Sequence, residues 1–186
     1  MSVPELLKLA PPPEKPIGAG TPAGWKEVED RLELALPPDY KEIVDRYGIG
    51  WFGNWLMIYS PFADSFNLFE QCDRILPLFD DCVESDPDSL PPYGVYPDEG
   101  GLLLFGQDEN SGPMCFVTEG PPSQWPIVIM DNKYLRDYSR TIAATLSELL
   151  VGWFKQEFGV KDHEALHAPR RNEFVPGPSP DFSWYK

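Results

Sequence analysis

Cysteines and long apolar runs are scarce in this 186-residue sequence, and each shortage excludes a class of protein. The three cysteines, Cys72, Cys82 and Cys115, form no C-x-x-C pair, which argues against a disulfide scaffold and a four-thiolate zinc site. No apolar run reaches membrane-spanning length, and the opening residues lack the basic and apolar regions of an export signal. The sequence therefore predicts reduced thiols, no membrane partner and a cytoplasmic location.

Basic side chains are absent between Arg74 and Lys133, where eleven acidic residues fall. Over the whole sequence 15 Lys and Arg face 30 Asp and Glu, so the net charge is −15. A charge of this sign repels nucleic-acid phosphate, so no nucleic-acid partner is expected. Two interpretations of the acidic segment stay open. It is either a solvated surface that keeps the protein soluble, or a face whose negative field captures a basic partner.

The only two histidines lie in one motif, His163-Glu164-Ala165-Leu166-His167, which matches the H-E-x-x-H pattern of zinc metallopeptidases. On a helix, this spacing puts both imidazoles on one face with the glutamate as general base. Pro169 follows closely and would cut that helix short, and a third metal ligand is hard to find. We therefore predict no metal at His163 and His167. A metallopeptidase stays an alternative because the motif matches at every fixed position.

The other motifs do not support catalysis or a cofactor. The nucleophile elbow, the P-loop and the dinucleotide fingerprint are absent from the sequence. Residues 108–112 resemble a calcium loop, but the glycine comes one place early and the closing glutamate is missing, so a tight hairpin turn is favoured. Cys115 lies in an apolar stretch and is predicted to be a packed thiol rather than a nucleophile. The sequence thus predicts no catalytic residue and no cofactor.

Helical periodicity predicts two adjacent helices early in the chain. Thr21 and Pro22 fit an N-cap and a first helical position, and apolar residues follow at helical spacing as far as the stop at residues 36–38. A second helix is predicted from Pro38, with Gly48 as its C-terminal stop.

Two later helices and several strands complete the predicted elements. Ser65 is predicted to cap a helix that Pro77 kinks or ends, and Thr141 to cap a final helix. Strands are predicted at residues 55–60, 102–105, 114–118 and 125–130. Because the last three strands are closely spaced with short polar connections, they predict an antiparallel meander.

Three blocks of sequence, in order, resemble the SUKH superfamily, which is named partly after a yeast cell-wall assembly regulator. Residues 25–50, WKEVEDRLELALPPDYKEIVDRYGIG, resemble its opening helix pair. Residues 101–130 resemble its central hairpin and following strand, and residues 141–150 its closing helix. The matching positions are Trp25, Glu29, Leu36, Pro37, Tyr40, Tyr47, Gly48, Gly106, Asp108, Gly112, Gly120 and Trp125.

This resemblance implies an α+β fold with a curved, mainly antiparallel sheet packed against helices. We predict an extended Pro-rich leader at residues 1–20, a SUKH-like domain at residues 21–158 and an irregular C-terminal tail at residues 159–186. The predicted core consists of Trp25, Val28, Leu32, Tyr40, Ile43, Val44, Ile58, Leu103, Phe105, Phe116, Trp125, Ile127, Ile129, Leu146 and Leu149.

The resemblance also implies a function without catalysis. Many bacterial members are immunity proteins that neutralise a toxin, and other members are regulatory scaffolds of cell-wall synthesis, which stays the second alternative. We predict that the acidic segment captures a basic protein toxin domain, for which a nuclease is one candidate because nucleases carry cationic clefts. The predicted partner-binding residues are Tyr93, Tyr96, Asp98, Glu99, Asp108, Glu109 and Glu119.

Overall fold

The computed structural model describes residues 3–86, 91–131, 139–158, 166 and 171–178. Its described helices are α1 (Val3–Leu9), α2 (Pro22–Leu32), α3 (Pro38–Tyr47), α4 (Leu68–Ser85) and α5 (Leu146–Phe154). Its described strands are β1 (Gly50–Phe52), β2 (Leu56–Ile58), β3 (Leu102–Asp108), β4 (Pro113–Val117), β5 (Ile127–Ile129), β6 (Arg140–Ile142) and β7 (Phe174–Pro176). A short 3-10 turn, Pro122–Gln124, precedes β5. Within these ranges no helix is both long and apolar enough to cross a bilayer.

The seven strands form one antiparallel sheet in the order β6-β5-β4-β3-β2-β1-β7. From β1 to β6 each strand lies beside its neighbour in sequence, which is the predicted meander, and β7 then returns to pair with β1. The sheet is open, and β3 carries an irregularity in register between Leu104 and Gly106, where such a bulge bends a strand. Together with the helices this arrangement confirms the predicted α+β class.

Helices α2 and α3 confirm the predicted opening pair. The Thr21 hydroxyl accepts a hydrogen bond from the Gly24 N–H at 3.1 Å, as an N-cap should. Helix α2 ends earlier than residues 36–38 because Glu33 takes the left-handed conformation, with φ of 48°. Gly48 ends α3 at φ of 69°, and a Cβ there would lie 2.0 Å from the Ile17 carbonyl oxygen. Only glycine satisfies both conditions at that position.

The core is built around Tyr40 on α3. Its ring centroid lies 5.9 Å from that of Trp25 on α2 and 5.7 Å from that of Phe116 on β4. Its hydroxyl donates to the Tyr59 carbonyl at 2.7 Å, and burial raises the pKa of this hydroxyl well above its usual value. Helices α1, α3 and α5 contact one another, and α4 packs against β3. All the residues predicted for the core are buried, so that prediction is confirmed.

Helices α4 and α5 begin at other residues than predicted. Asn67, not Ser65, caps α4, because the Asn67 side chain accepts from the Glu70 N–H while the Glu70 carboxylate accepts from the Asn67 N–H. Pro77 does not end α4. Proline has no N–H to donate to the Asp73 carbonyl one turn earlier, but Asp73 and Pro77 are both exposed, so water can bind that carbonyl. Thr145 caps α5 through a second capping box with Glu148.

Thr141 instead lies in β6, at the edge of the sheet. The final helix was therefore predicted to begin too early in the sequence. Strands β1 and β6 were not predicted, since neither lies in a run of β-branched and aromatic residues as long as those around β2 and β5.

Two segments predicted to be irregular contain regular structure. Helix α1 lies inside the predicted leader at residues 1–20, because helix-forming residues lie between Pro4 and Pro11, and Val3 and Leu6 are buried on one face. Strand β7 lies inside the predicted irregular tail at residues 159–186, because Phe174 packs on Phe52 with ring centroids 4.8 Å apart. The prediction of an extended leader and an irregular tail is therefore wrong for these two segments.

Candidate partner-binding surface

The register of the β3–β4 hairpin divides the predicted partner-binding residues into two groups. Leu102 pairs with Val117 at one end of the hairpin, and Gln107 pairs with Pro113 at the other. Asp98, Glu99 and Glu119 therefore flank the first end, while Asp108 and Glu109 belong to the turn at the second. Six residues of extended strand separate the ends by roughly 20 Å. One small partner group cannot contact both.

The first end of the hairpin borders a concavity of about 440 Å³. One wall is the end of α2 and the residues after it, and the other is the loop before β3. Thr118, which follows β4, joins the two. The concavity is lined by Arg31, Leu32, Glu33, Leu34, Tyr96, Pro97, Asp98, Glu99 and Thr118. We refer to this set as the acidic concavity.

Hydrogen bonds hold the two walls of the acidic concavity in place. The Tyr96 hydroxyl donates to the Leu32 carbonyl, which ties the loop to the end of α2. Burial raises the pKa of Tyr96, and the nearby Cys72 and Glu33 raise it further, so this hydroxyl stays a donor. The Thr118 hydroxyl donates to the Gly101 carbonyl at 2.9 Å and fixes the loop to β4. A binding surface built on fixed elements loses little entropy when a partner docks.

The charge of the acidic concavity is negative. Glu33, Asp98 and Glu99 are solvent-exposed in its lining, and the exposed Glu119 stands next to Thr118. Arg31 is the one base among the lining residues, and its guanidinium lies 3.7 Å from the centroid of the Phe69 ring. Because no Lys or Arg occurs between residues 75 and 132, that part of the chain supplies no base to neutralise this surface.

Tyr93 lies on the other side of the same loop. Its hydroxyl is 3.0 Å from the Thr141 hydroxyl of β6, and its side chain is half-buried. The loop between Tyr93 and Tyr96 is anchored beside β3, since the Leu102 N–H donates to the Gly94 carbonyl at 2.9 Å. Tyr93 and Tyr96 thus frame one loop, with Tyr96 facing α2 and Tyr93 facing the sheet edge.

Asp108 has a structural position rather than a contact position. Its side chain is only 4% exposed, and it accepts a hydrogen bond from the Gly112 N–H at 2.7 Å. Burial raises its pKa to about 6 against the opposing effect of the Gly112 and Asn110 backbone hydrogen bonds. The interpretation of residues 108–112 as a hairpin turn fits this geometry. The assignment of Asp108 as a partner contact is corrected accordingly, and Glu109 remains, half-buried, at that distant turn.

A second acidic surface lies on α4. The exposed carboxylates of this helix and its end are Glu70, Asp73, Asp80, Asp81, Glu84 and Asp86. Unlike the acidic concavity, this surface is one convex helix face.

Sequence reasoning missed the contribution of α2 to the surface. Glu33 and Arg31 stand more than sixty positions before Asp98 in the sequence, and the folded chain brings them together through the hydrogen bond of Tyr96 to Leu32. The φ of 48° at Glu33 directs the chain out of the helix at this point. A single sequence contains no signal for a contact of this kind.

The residues His163 and His167 lie outside the part of the chain that the structure describes. Within the described ranges no group of three or more His, Cys, Asp or Glu side chains is placed to hold a metal ion. Cys115 is fully buried, and burial raises its pKa well above the ordinary value, as expected of a packed thiol.

The fold and the surface define an α+β domain with an open antiparallel sheet and an acidic concavity beside its central hairpin. The chain belongs to the SMI1 / KNR4 family (SUKH-1), whose model matches residues 20–152. The predicted resemblance to the SUKH superfamily is therefore confirmed, and the family supports a non-catalytic domain. Comparisons with curated proteins and with solved structures found no match. Helix α1 and strand β7 lie outside the matched residues.

Proposed function

We propose that this protein is an immunity protein that neutralises a basic toxin domain by binding it at the acidic concavity. The observation that supports this proposal is the exposed group Glu33, Asp98, Glu99 and Glu119 around a recess with hydrogen-bonded walls. Family membership supports a binding role, since SUKH domains include immunity proteins and cell-wall regulators. The negative charge of the acidic concavity favours the immunity role, because this surface attracts a cationic partner and a basic toxin domain is such a partner.

The physical basis is electrostatic complementarity. An enzyme that cleaves nucleic acid needs a cationic cleft to hold phosphate, so an inhibitor with clustered carboxylates can occupy that cleft and exclude the substrate. Exposed charges raise the association rate more than they lower the dissociation rate, and salt screens them beyond about 8 Å at physiological ionic strength. Association should therefore be fast and strongly dependent on salt.

The test measures association with the toxin domain encoded beside this chain's gene, at about 20 mM and about 500 mM salt. A concavity variant carries E33Q, D98N, E99Q and E119Q. Its matched control carries D73N, D80N, D81N and E84Q on α4, which removes the same charge from the convex surface. We expect the concavity variant to associate at least about tenfold more slowly at low salt and to lose most of the salt dependence. The α4 control should stay near the wild-type rate.

Equal rates for the wild type and the concavity variant at both salt concentrations would refute the proposal. A slower rate in both variants alike would show that only the total charge matters.

The metallopeptidase alternative has a separate test. We expect metal analysis of protein purified without a histidine tag to find far less than one zinc per chain, with no change on His163→Ala. About one zinc per chain, lost in that variant, would establish the alternative in its place.

A further inference from the structure

Phe66, in the loop that leads into α4, is a bulky side chain on a backbone that suits a smaller residue. Its φ is 55°, in the left-handed region that glycine and asparagine tolerate far better than an aromatic residue does. The surrounding backbone fixes this conformation, because the Leu68 N–H donates to the Ser60 carbonyl at 3.1 Å and Asn67 caps α4. The phenylalanine is therefore kept here at a cost to the stability of the fold.

Packing within the chain does not explain the aromatic ring of Phe66. The residue is 41% exposed, whereas Phe62 and Phe69 on either side of it pack against the core. An apolar residue just before an N-cap ordinarily packs on an apolar residue four positions after the cap. In α4 that position is Gln71, whose side chain accepts a hydrogen bond from the Arg74 guanidinium at 2.6 Å. The start of α4 thus lacks the apolar partner that would give the ring this structural role.

A cation–π contact places the start of α4 beside the acidic concavity. Arg31 lines the concavity, and its guanidinium lies 3.7 Å from the centroid of the Phe69 ring. Phe66 precedes Phe69 by three residues, so their Cα atoms are at most about 11 Å apart. A protein interface of ordinary size buries about 800 Å² on each partner, which is enough to include both the concavity and Phe66. A partner docked at the acidic concavity can therefore contact this ring.

The charge around Phe66 fits the same partner. Asp64 and Glu70 are the charged residues within six positions of Phe66 in the sequence, and both are exposed. The ring therefore offers an apolar contact within a negative field. The complementary surface is a basic one with an apolar recess.

We propose that Phe66 is the aromatic anchor of the toxin interface and inserts into an apolar recess beside the cationic cleft of the toxin domain. Backbone strain is retained at binding sites, where contact with a partner offsets its cost. A few buried side chains, often aromatic, supply most of the binding energy of a protein interface. The inference rests on the proposed immunity function for the identity of the partner. It adds the short-range contact that exposed carboxylates alone do not supply.

The test compares the wild type with Phe66→Asn and Phe66→Tyr for binding to the toxin domain encoded beside this chain's gene. Asparagine tolerates the left-handed backbone but removes the ring, and tyrosine keeps the ring. We expect Phe66→Asn to dissociate at least about tenfold faster, at about 20 mM and about 500 mM salt alike, because salt does not screen an apolar contact. Its association rate should stay within about twofold of the wild type, since no charge changes. Phe66→Tyr should dissociate at nearly the wild-type rate.

Leu78→Ala is the matched control, because Leu78 on α4 is exposed to nearly the same extent, 40%. It should leave both rates unchanged. Thermal melting separates binding from folding. Phe66→Asn should melt within about 4 °C of the wild type, since relief of the left-handed conformation offsets the partial burial that is lost with the ring.

Dissociation of Phe66→Asn at the wild-type rate would overturn this inference and leave the immunity function standing. A larger fall in its melting temperature, or equally fast dissociation of Leu78→Ala, would also overturn it, because the ring would then be a packing residue or one apolar contact among many. If the wild type does not bind the toxin domain, the proposed function and the anchor both fail. If the concavity variant associates like the wild type while Phe66→Asn still dissociates faster, the acidic concavity fails and the anchor stands.

Discussion

Trp125 joins the segment before β5 to the centre of the sheet. The side chain is 2% exposed, its ring centroid lies 6.0 Å from that of Phe116, and its indole N–H donates to the Gly120 carbonyl at 3.0 Å. The single residue thus closes a turn and fills the core. A large aromatic residue placed this way contributes by both its volume and its hydrogen bond.

Replacing Trp125 with alanine should lower the free energy of unfolding by about 3 to 5 kcal/mol, the usual cost of removing a buried aromatic side chain. Urea denaturation of the two proteins measures the change. Ser123→Ala, at an exposed position two residues earlier, should cost less than about 0.5 kcal/mol. A melting temperature for the tryptophan variant close to that of the wild type would contradict the burial of its side chain.

Asp108 gives the stability of the protein a pH dependence that can be isolated. Because burial raises its pKa in the folded state to about 6, the folded protein holds this proton more tightly than the unfolded chain does. Protonation of Asp108 therefore stabilises the folded state fully below about pH 4, the pKa of this group in the unfolded chain. The contribution is lost as the pH rises through about 6, the pKa in the folded state. Between pH 4 and pH 7 the loss amounts to about 2 to 3 kcal/mol, because each tenfold difference in proton affinity corresponds to about 1.4 kcal/mol.

The variant Asp108→Asn cannot titrate, so it should lack this contribution. We expect the difference in unfolding free energy between wild type and variant to change by about 2 to 3 kcal/mol from pH 4 to pH 7, in favour of the wild type at low pH. Urea denaturation across this range measures it, and the comparison cancels the other acidic groups. Parallel curves would show that Asp108 titrates normally.

At the scale of helices, the beginning of α5 depends on one capping box. Thr145 accepts from the Glu148 N–H at 3.4 Å, and the Glu148 carboxylate accepts from the Thr145 N–H at 3.0 Å. The bonds that the Glu148 carboxylate accepts from the Thr145 N–H and hydroxyl lower the pKa of Glu148. Thr145→Ala should destabilise the fold by about 1 kcal/mol, and Thr145→Ser, which keeps the hydroxyl, by less than half of that. Thermal unfolding of the two variants separates the cap from the lost methyl group, and equal losses would contradict the capping role.

The sequence predicts elements well where periodicity and capping agree. Helix α2 has both, α3 combines periodicity with a proline at its start and a glycine at its end, and the predicted starts at Thr21 and Pro38 agree with the structure. The start of α5 was missed because Thr141 and Thr145 are equally good caps by residue type. Only the glutamate three places after Thr145 completes the box, and only the pairing of β6 with β5 removes Thr141 from the helix. Tertiary pairing decided what local preference left undecided.

The acidic surface was predicted in part for a similar reason. Charge counting located Asp98, Glu99 and Glu119 in an uncompensated acidic segment, and these residues do meet around one end of the hairpin. It also grouped Asp108 with them, because counting carboxylates takes no account of a strand that carries Asp108 some 20 Å away and buries it. Charge is visible in a sequence, but burial and register are properties of the folded chain.

At the scale of the whole molecule, charge is distributed unevenly. Four ion pairs of described residues, Lys26–Asp30, Lys41–Glu29, Arg46–Glu42 and Lys155–Glu5, lie on helices α1, α2 and α3 or join α1 to the residue after α5. Residues 75–132 contain no base, so the carboxylates on α4 and around the acidic concavity repel one another. This repulsion opposes the compact state.

Salt should relieve that repulsion. We expect the melting temperature to rise by about 2 to 4 °C between about 20 mM and about 500 mM sodium chloride, the shift that about 1 kcal/mol gives in a domain of this size. The variant with four neutralised α4 carboxylates should gain less on the same addition. Calorimetry at the two salt concentrations measures both, and a melting temperature that falls with salt would mean that the ion pairs outweigh the repulsion.

The pairing of β7 with β1 affects how the chain folds while it is being synthesised. Trp51 and Pro178, which are hydrogen-bonded at this edge, are 127 residues apart in sequence. At translation rates of about 5 to 20 residues per second, β1 leaves the ribosome roughly 6 to 25 seconds before the strand that covers it. During this interval an aromatic strand edge is open to neighbouring nascent chains or to a chaperone. The length of this interval is therefore set by the 127 residues that separate the two strands in the sequence.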